Sequence, residues 1–203
     1  MAAPLRFHFD FISPYGWFAS REIDAIAAKH GREVDWHPML LGVSVLKVMG
    51  LKPLLDTPVK GAYVRRDVLR HARKRGVALG RNLDGPMPSP LAMGRAFCWI
   101  RKHHPDVQGA SAHAIYDAHW VRGLDLSSAE EIVREVSLPA AVDTGALLAA
   151  MATDEPATLL RESVQASLDA GVFGSPTLVV DGEPFWGLDR LGEVDEWLTR
   201  GGW

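Results

Sequence analysis

Phe7, Phe9 and Phe11 alternate with His8 and Asp10, the two-residue period of a strand with one buried face. The period breaks at Ser13-Pro14, where a good capping residue precedes a proline suited to the first helical position. Apolar residues then recur through Trp17, Phe18, Ile23 and Ile26 up to Gly31. The pattern predicts a helix whose start presents Ser13 beside unbonded amides and the positive end of the helix dipole, a place suited to an anion. Glu33 to Pro38 returns as a second short strand with Val34 and Trp36 on one face, which completes a βαβ opening.

Leu40 to Pro58 is interrupted by Gly42, Gly50, Pro53 and Pro58, and reads as a short helix around Val45 to Met49 followed by an irregular loop. Helical spacing resumes from Lys60 to Arg75. Tyr63, Val64, Val68, Leu69 and Ala72 form its apolar stripe, and Tyr63 is expected in core packing. Arg65, Arg66, Arg70, Arg73, Lys74 and Arg75 form a solvated face. A rigid loop over Arg81 to Pro90 leads to helices near Pro90 to His103, Ser111 to Arg122, Ser127 to Val136, Thr144 to Ala152 and Pro156 to Ala170. Ser127 with Glu130, or Ser128 with Glu131, supplies a capping box for the third of these.

The run from Ser175 to Trp186 is strand, Asp181-Gly182 turn, strand, and a closing helix follows from Asp189 or Leu191 to Arg200. Reduced to elements, the chain is an α/β protein with the order of a thioredoxin-like sheet whose halves are separated by helices. A single domain over residues 1–203 is expected, its sheet-bearing parts at about 4–40 and 156–203 and an all-helical insertion at about 41–155.

With 22 basic and 25 acidic residues the net charge is −3, which gives no electrostatic case for nucleic acid or an anionic membrane. No apolar run approaches a membrane span and no leader pattern opens the chain, so a cytoplasmic protein is expected. Cys98 is the only cysteine. It excludes a Cys-x-x-Cys pair, and its apolar neighbours make it a small core residue rather than a nucleophile. The eight histidines lack metal-ligand spacing: His103 and His104 are adjacent, and His113 and His119 are six apart. No metal is expected. Most of the seven tryptophans should lie in the core or a dimer interface.

The opening Phe-Asp-Phe-Ile-Ser-Pro-Tyr, the Met39-Leu-Leu-Gly42 loop with Lys47, Pro58-Val-Lys-Gly-Ala-Tyr63, Gly174-Ser-Pro-Thr177 and Trp186-Gly-Leu-Asp-Arg190 occur in an order that resembles the 2-hydroxychromene-2-carboxylate isomerases. That family is similar to kappa-class glutathione transferases, in the DsbA-like branch of the thioredoxin fold. The resemblance implies that Ser13 stands where redox relatives carry a cysteine, and donates a hydrogen bond to the thiolate of bound glutathione. It further implies a cis bond at Ser175-Pro176, pairing of Ser175 with the cysteinyl backbone, and capture of the γ-glutamyl end by Trp186, Gly187, Leu188 and Asp189. Asp189 would meet the ammonium group.

Lys47 is the implied partner of a substrate carboxylate. Many relatives carry asparagine in two loop positions where this chain has Leu51 or Lys52 and Ser89, and Ser89 is a candidate substrate contact. The implied activity is glutathione-dependent isomerisation of a small aromatic carboxylate, of the kind used in aromatic hydrocarbon catabolism, by a homodimer. Alternatives are a kappa-like transferase that conjugates electrophiles, and a non-catalytic DsbA-like module that binds peptides.

Overall fold

The computed structural model describes residues 3–203. Strand β1 (Leu5–Phe9), helix α1 (Pro14–Lys29) and strand β2 (Val34–Pro38) form the βαβ opening, with β1 and β2 parallel from Leu5 opposite Val34 to Phe9 opposite Pro38. After a helical middle, β3 (Thr177–Val180) pairs antiparallel with β1, and β4 (Glu183–Trp186) pairs antiparallel with β3. The sheet order is β2-β1-β3-β4. Asp181 and Gly182 make the hairpin turn with φ of 52° and 96°, positive values that an Asp-Gly pair tolerates.

Six helices lie between the two halves of the sheet: α2 (Lys60–Arg75), α3 (Leu91–His103), α4 (Gln108–Trp120), α5 (Ala129–Glu135), α6 (Thr144–Met151) and α7 (Glu155–Asp169). Helix α8 (Leu191–Arg200) closes the chain. Of the two possible caps for α5, Ser128 is used, with its side chain and that of Glu131 bonded reciprocally to backbone amides. Helix α4 begins at Gln108, ahead of the predicted Ser111. The expected short helix after β2 is a π-helical segment over Gly42–Val48, a wider coil that often marks functional ground.

The core is aromatic. Phe9 meets Trp36 edge-on at 5.5 Å and Phe97 at 5.4 Å, while Phe11 lies 4.9 Å from Tyr116 and Trp17 stacks on Trp120 at 5.8 Å. These contacts tie β1 and α1 to α3 and α4. The other positions of the opening alternation are buried too, contrary to the one-sided strand its period suggests: His8 is 2% exposed and Asp10 1%. Helix α7 covers His8. Ser167 gives its proton to the Ser163 carbonyl, so its oxygen accepts from His8 Nδ1 at 2.9 Å, and burial lowers the imidazole's pKa to about 3.

Two expectations for α2 fail. The buried line is Gly61, Val64, Val68 and Ala72, and Tyr63 and Leu69, each about 100° around the helix from that line, stand outside it. Tyr63 is 60% exposed, its ring under the Arg70 guanidinium at 5.5 Å. Nor is the arginine face wholly solvated. Arg75 pairs with Glu22 at 2.7 Å and lies over the Phe18 ring, and Arg65 donates to the Leu55 carbonyl at 3.0 Å. Cys98 is buried as expected, packed with Leu160 and Val164, and burial pushes its thiol up to about 12.

Candidate functional site

Ser13 caps α1 with an extended backbone (φ −88°, ψ 113°), and its Oγ accepts the Gly16 amide at 3.0 Å. The same hydroxyl donates to the Ser175 carbonyl at 2.9 Å, so the start of α1 is bonded to the turn before β3. The Ser175-Pro176 bond is cis, as the resemblance implies. Ser175 Oγ accepts the Asp10 amide at 3.0 Å.

The turn is joined in the same way to the end of the hairpin. The Gly187 amide donates to the Pro176 carbonyl at 2.9 Å, and Thr177 pairs with Trp186 across the β3–β4 ladder. Gly187 has φ of 118°, a conformation open to glycine, and a Cβ there would strike the Asp189 carboxylate. Leu188 is buried beneath the segment. Trp186 is 55% exposed and meets Phe173 at 4.8 Å, and Asp189 is exposed beside Arg190 at 3.2 Å. Ser13, Ser175, Pro176, Trp186 and Gly187 thus form one bonded rim, with Leu188 and Asp189 following directly in the chain.

Lys47 and Ser89 are not bonded to that rim. Lys47 is exposed on the π-helical segment and forms no ion pair among the described residues. Ser89 is exposed ahead of α3, where its Oγ accepts the Leu91 amide at 3.4 Å. Among the described residues no group of three or more metal-ligating side chains is present, and no helix is long and apolar enough to cross a membrane.

Three neighbours escaped the sequence reading. A Cβ on Gly16 would lie 2.7 Å from Ser175 Oγ and 3.0 Å from the Tyr116 hydroxyl, so glycine permits the close approach of α1 to the turn. Tyr15 donates to Asp67 of α2 at 2.8 Å, and burial with that carboxylate pushes its phenol well up. Asp10 is the third. Its carboxylate accepts the Ile12 and Leu41 amides, and burial raises its pKa to about 6. No local signal marks Asp10, which in the sequence occupies a polar position of the Phe7-Phe9-Phe11 alternation.

A serine at a helix start can lend a proton and a dipole to a bound anion, and it contributes no electron chemistry. Comparisons with known proteins fit this arrangement. The model of the DSBA-like thioredoxin domain matches residues 5–198. The chain is 25% identical over 198 residues to a 2-hydroxychromene-2-carboxylate isomerase of Pseudomonas putida, covering 96% of this chain and 93% of that protein. It is 25% identical over 193 residues to the human glutathione S-transferase kappa 1, covering 90% and 85%. Among solved structures, a 2-hydroxychromene-2-carboxylate isomerase superposes with a TM-score of 0.82 at 23% identity, covering 97% of this chain and 94% of that one.

Proposed function

The chain belongs to the DSBA-like thioredoxin domain family, and on that premise we propose that it is a glutathione-dependent isomerase of the 2-hydroxychromene-2-carboxylate type. The observation that carries the proposal is Ser13, a hydroxyl at the head of α1 and 2.9 Å from the Ser175 carbonyl, in a chain without a reactive cysteine. Similarity to both an isomerase and a kappa-class transferase supports glutathione as the source of sulfur.

Glutathione's cysteinyl amide pairs with the Ser175 carbonyl as a short added strand. That carbonyl holds the one proton of the Ser13 hydroxyl in the free protein. When the thiol sits at the head of α1, the hydroxyl turns from this carbonyl to the sulfur, and with the helix dipole it favours the thiolate. Trp186 through Asp189 take the γ-glutamyl end, with the exposed Asp189 carboxylate facing its ammonium group.

The thiolate adds to the conjugated carbon–carbon double bond of the ring-opened substrate. A carbon–sulfur bond forms and the π electrons move onto the adjacent carbonyl as an enolate. The former double bond is now single and rotates. Collapse of the enolate re-forms the double bond in the other geometry and expels the thiolate, so glutathione is regenerated. Lys47 and Ser89 are the proposed contacts to the substrate, a small aromatic carboxylate, and the assembly is a cytoplasmic homodimer.

The similarity to the kappa-class transferase favours a second reading, in which the same Ser13 prepares the thiolate and the conjugate is released. Incubation with glutathione and 2-hydroxychromene-2-carboxylate, followed by absorbance and product analysis, separates the two. Isomerisation that needs glutathione and is lost in Ser13→Ala is expected; equal rates with and without either refute the proposal.

A further inference from the structure

Among the described residues Asp10 is the only buried carboxylate, and the chemistry above gives it no part. Its two oxygens serve two different segments. Oδ1 accepts the Ile12 amide at 3.2 Å, inside the turn that leads to Ser13, and Oδ2 accepts the Leu41 amide at 2.8 Å, at the head of the π-helical segment. Its backbone completes a junction: the amide donates to Ser175 Oγ, and the carbonyl accepts the Ser13 amide at 2.9 Å and the Tyr116 hydroxyl at 3.2 Å.

Among the described residues no cation compensates this charge; burial raises the carboxyl's pKa to about 6 and only the two amides oppose it. A buried ion held by amides alone is an expensive way to fasten two loops. The segment it fastens has little else. Of Gly42–Val48 only Ser44 is buried, and Leu46, Val48 and Met49 are exposed. Its entry is held by the Met39 amide on the Phe9 carbonyl at 2.7 Å, by the Leu41–Asp10 bond, by packing of Leu41 on Met39, Val172 and Val179, and by packing of Leu40 and Val43 beside Cys98.

We propose that Asp10 is a positioning residue that fixes the Leu41–Val48 segment, which carries Lys47, against the Ser13 turn, and thereby governs the fit of the carboxylate substrate rather than the seating of glutathione. The substrate half rests on the isomerase proposal; the tether itself does not.

Two variants weaken the tether from opposite ends, Asp10→Asn by removing its charge and Leu41→Pro by removing its donor. Asp10→Asn keeps the shape but turns an NH2 group toward one of the two amide donors. Leu41→Pro removes the amide itself at a residue whose φ of −58° already suits proline. Leu41→Ala trims the same side chain and keeps the amide, so it is the control. Hydrogen exchange at residues 42–49 should quicken by about tenfold in Asp10→Asn and Leu41→Pro, the loss of one charge-assisted bond. The double variant should exchange no faster than Leu41→Pro alone, because that variant already removes the contact.

In the isomerase assay KM for the chromene acid should rise by about tenfold while the glutathione dissociation constant stays within about twofold. If Asp10→Asn does not fold, Leu41→Pro against Leu41→Ala decides. Unchanged exchange in folded Leu41→Pro, additive effects in the double variant, or an equal loss of glutathione affinity would overturn the tether. Absence of any glutathione-dependent turnover in the unmodified protein would instead sink the isomerase proposal, and the exchange data would still judge Asp10.

Discussion

Replacing Gly16 with alanine presses on the site at its tightest point. The added methyl would stand 2.7 Å from Ser175 Oγ, 3.0 Å from the Tyr116 hydroxyl and 3.2 Å from Ser13 Cβ. None of the three can yield freely. Ser175 Oγ holds the Asp10 amide, the Tyr116 hydroxyl is bonded to the Asp10 carbonyl, and Ser13 is bonded to both Gly16 and Ser175. Overpacking of this kind costs about 1–3 kcal/mol, and displacing Ser175 forfeits a hydrogen bond of about 1 kcal/mol. Alanine's better helix propensity returns at most about 1 kcal/mol, so a net loss of about 1–3 kcal/mol is expected. Urea denaturation measures it, and calorimetric titration should show glutathione affinity reduced by about tenfold as the Ser175 carbonyl shifts. Gly192 of α8 is the control: nothing lies within 4 Å of the place a methyl group would take there, and Gly192→Ala should be neutral or stabilising. A Gly16→Ala protein as stable as the parent, with undiminished glutathione affinity, would refute the packing described for this site.

Other perturbations have equally definite outcomes. Because burial raises Asp10 from its ordinary range to about 6, the ionised form is disfavoured in the folded state, and its contribution to stability is present below about pH 4 and lost as pH rises through 6. The stability difference between the parent and Asp10→Asn should therefore change by about 3 kcal/mol across that window and be flat above it. His8 acts in the opposite sense: its pKa is lowered to about 3, so it favours the folded state above its unfolded value and that support drains as pH falls from about 6.5 toward 3. Acid titration of His8→Gln should show one fewer proton taken up on unfolding in that range. Tyr15→Phe deletes the bond to Asp67 that links α1 to α2 and should cost about 1–2 kcal/mol in urea melts, with the far-ultraviolet spectrum unchanged.

Much of the fold can be read in the chain because local and global preferences agree. Ser13-Pro14 starts a helix, Asp181-Gly182 turns a hairpin, and Ser128 with Glu131 caps α5, each for a reason contained in a few neighbouring residues. The rim of the site is legible through the order of its motifs. What escapes depends on contacts between distant segments. His8 on the polar side of β1 is buried because α7 covers it, and Tyr63 stands outside the core because the buried line of α2 runs through Val64, Val68 and Ala72. Asp10 has the pattern of the solvated half of an alternation, and only the fold brings Leu41, thirty-one residues away, onto its carboxylate. Gly16 carries no mark of its own, since its role is set by Ser175 and Tyr116.

In the proposed function Ser13 and the head of α1 hold a borrowed sulfur as its thiolate. Its test is a titration of the ultraviolet thiolate absorbance of glutathione bound to the parent protein and to Ser13→Ala. The bound thiol should ionise at least about one pH unit below the free tripeptide in the parent, and move back toward the free value in the variant. The same ionisation in both proteins would contradict it.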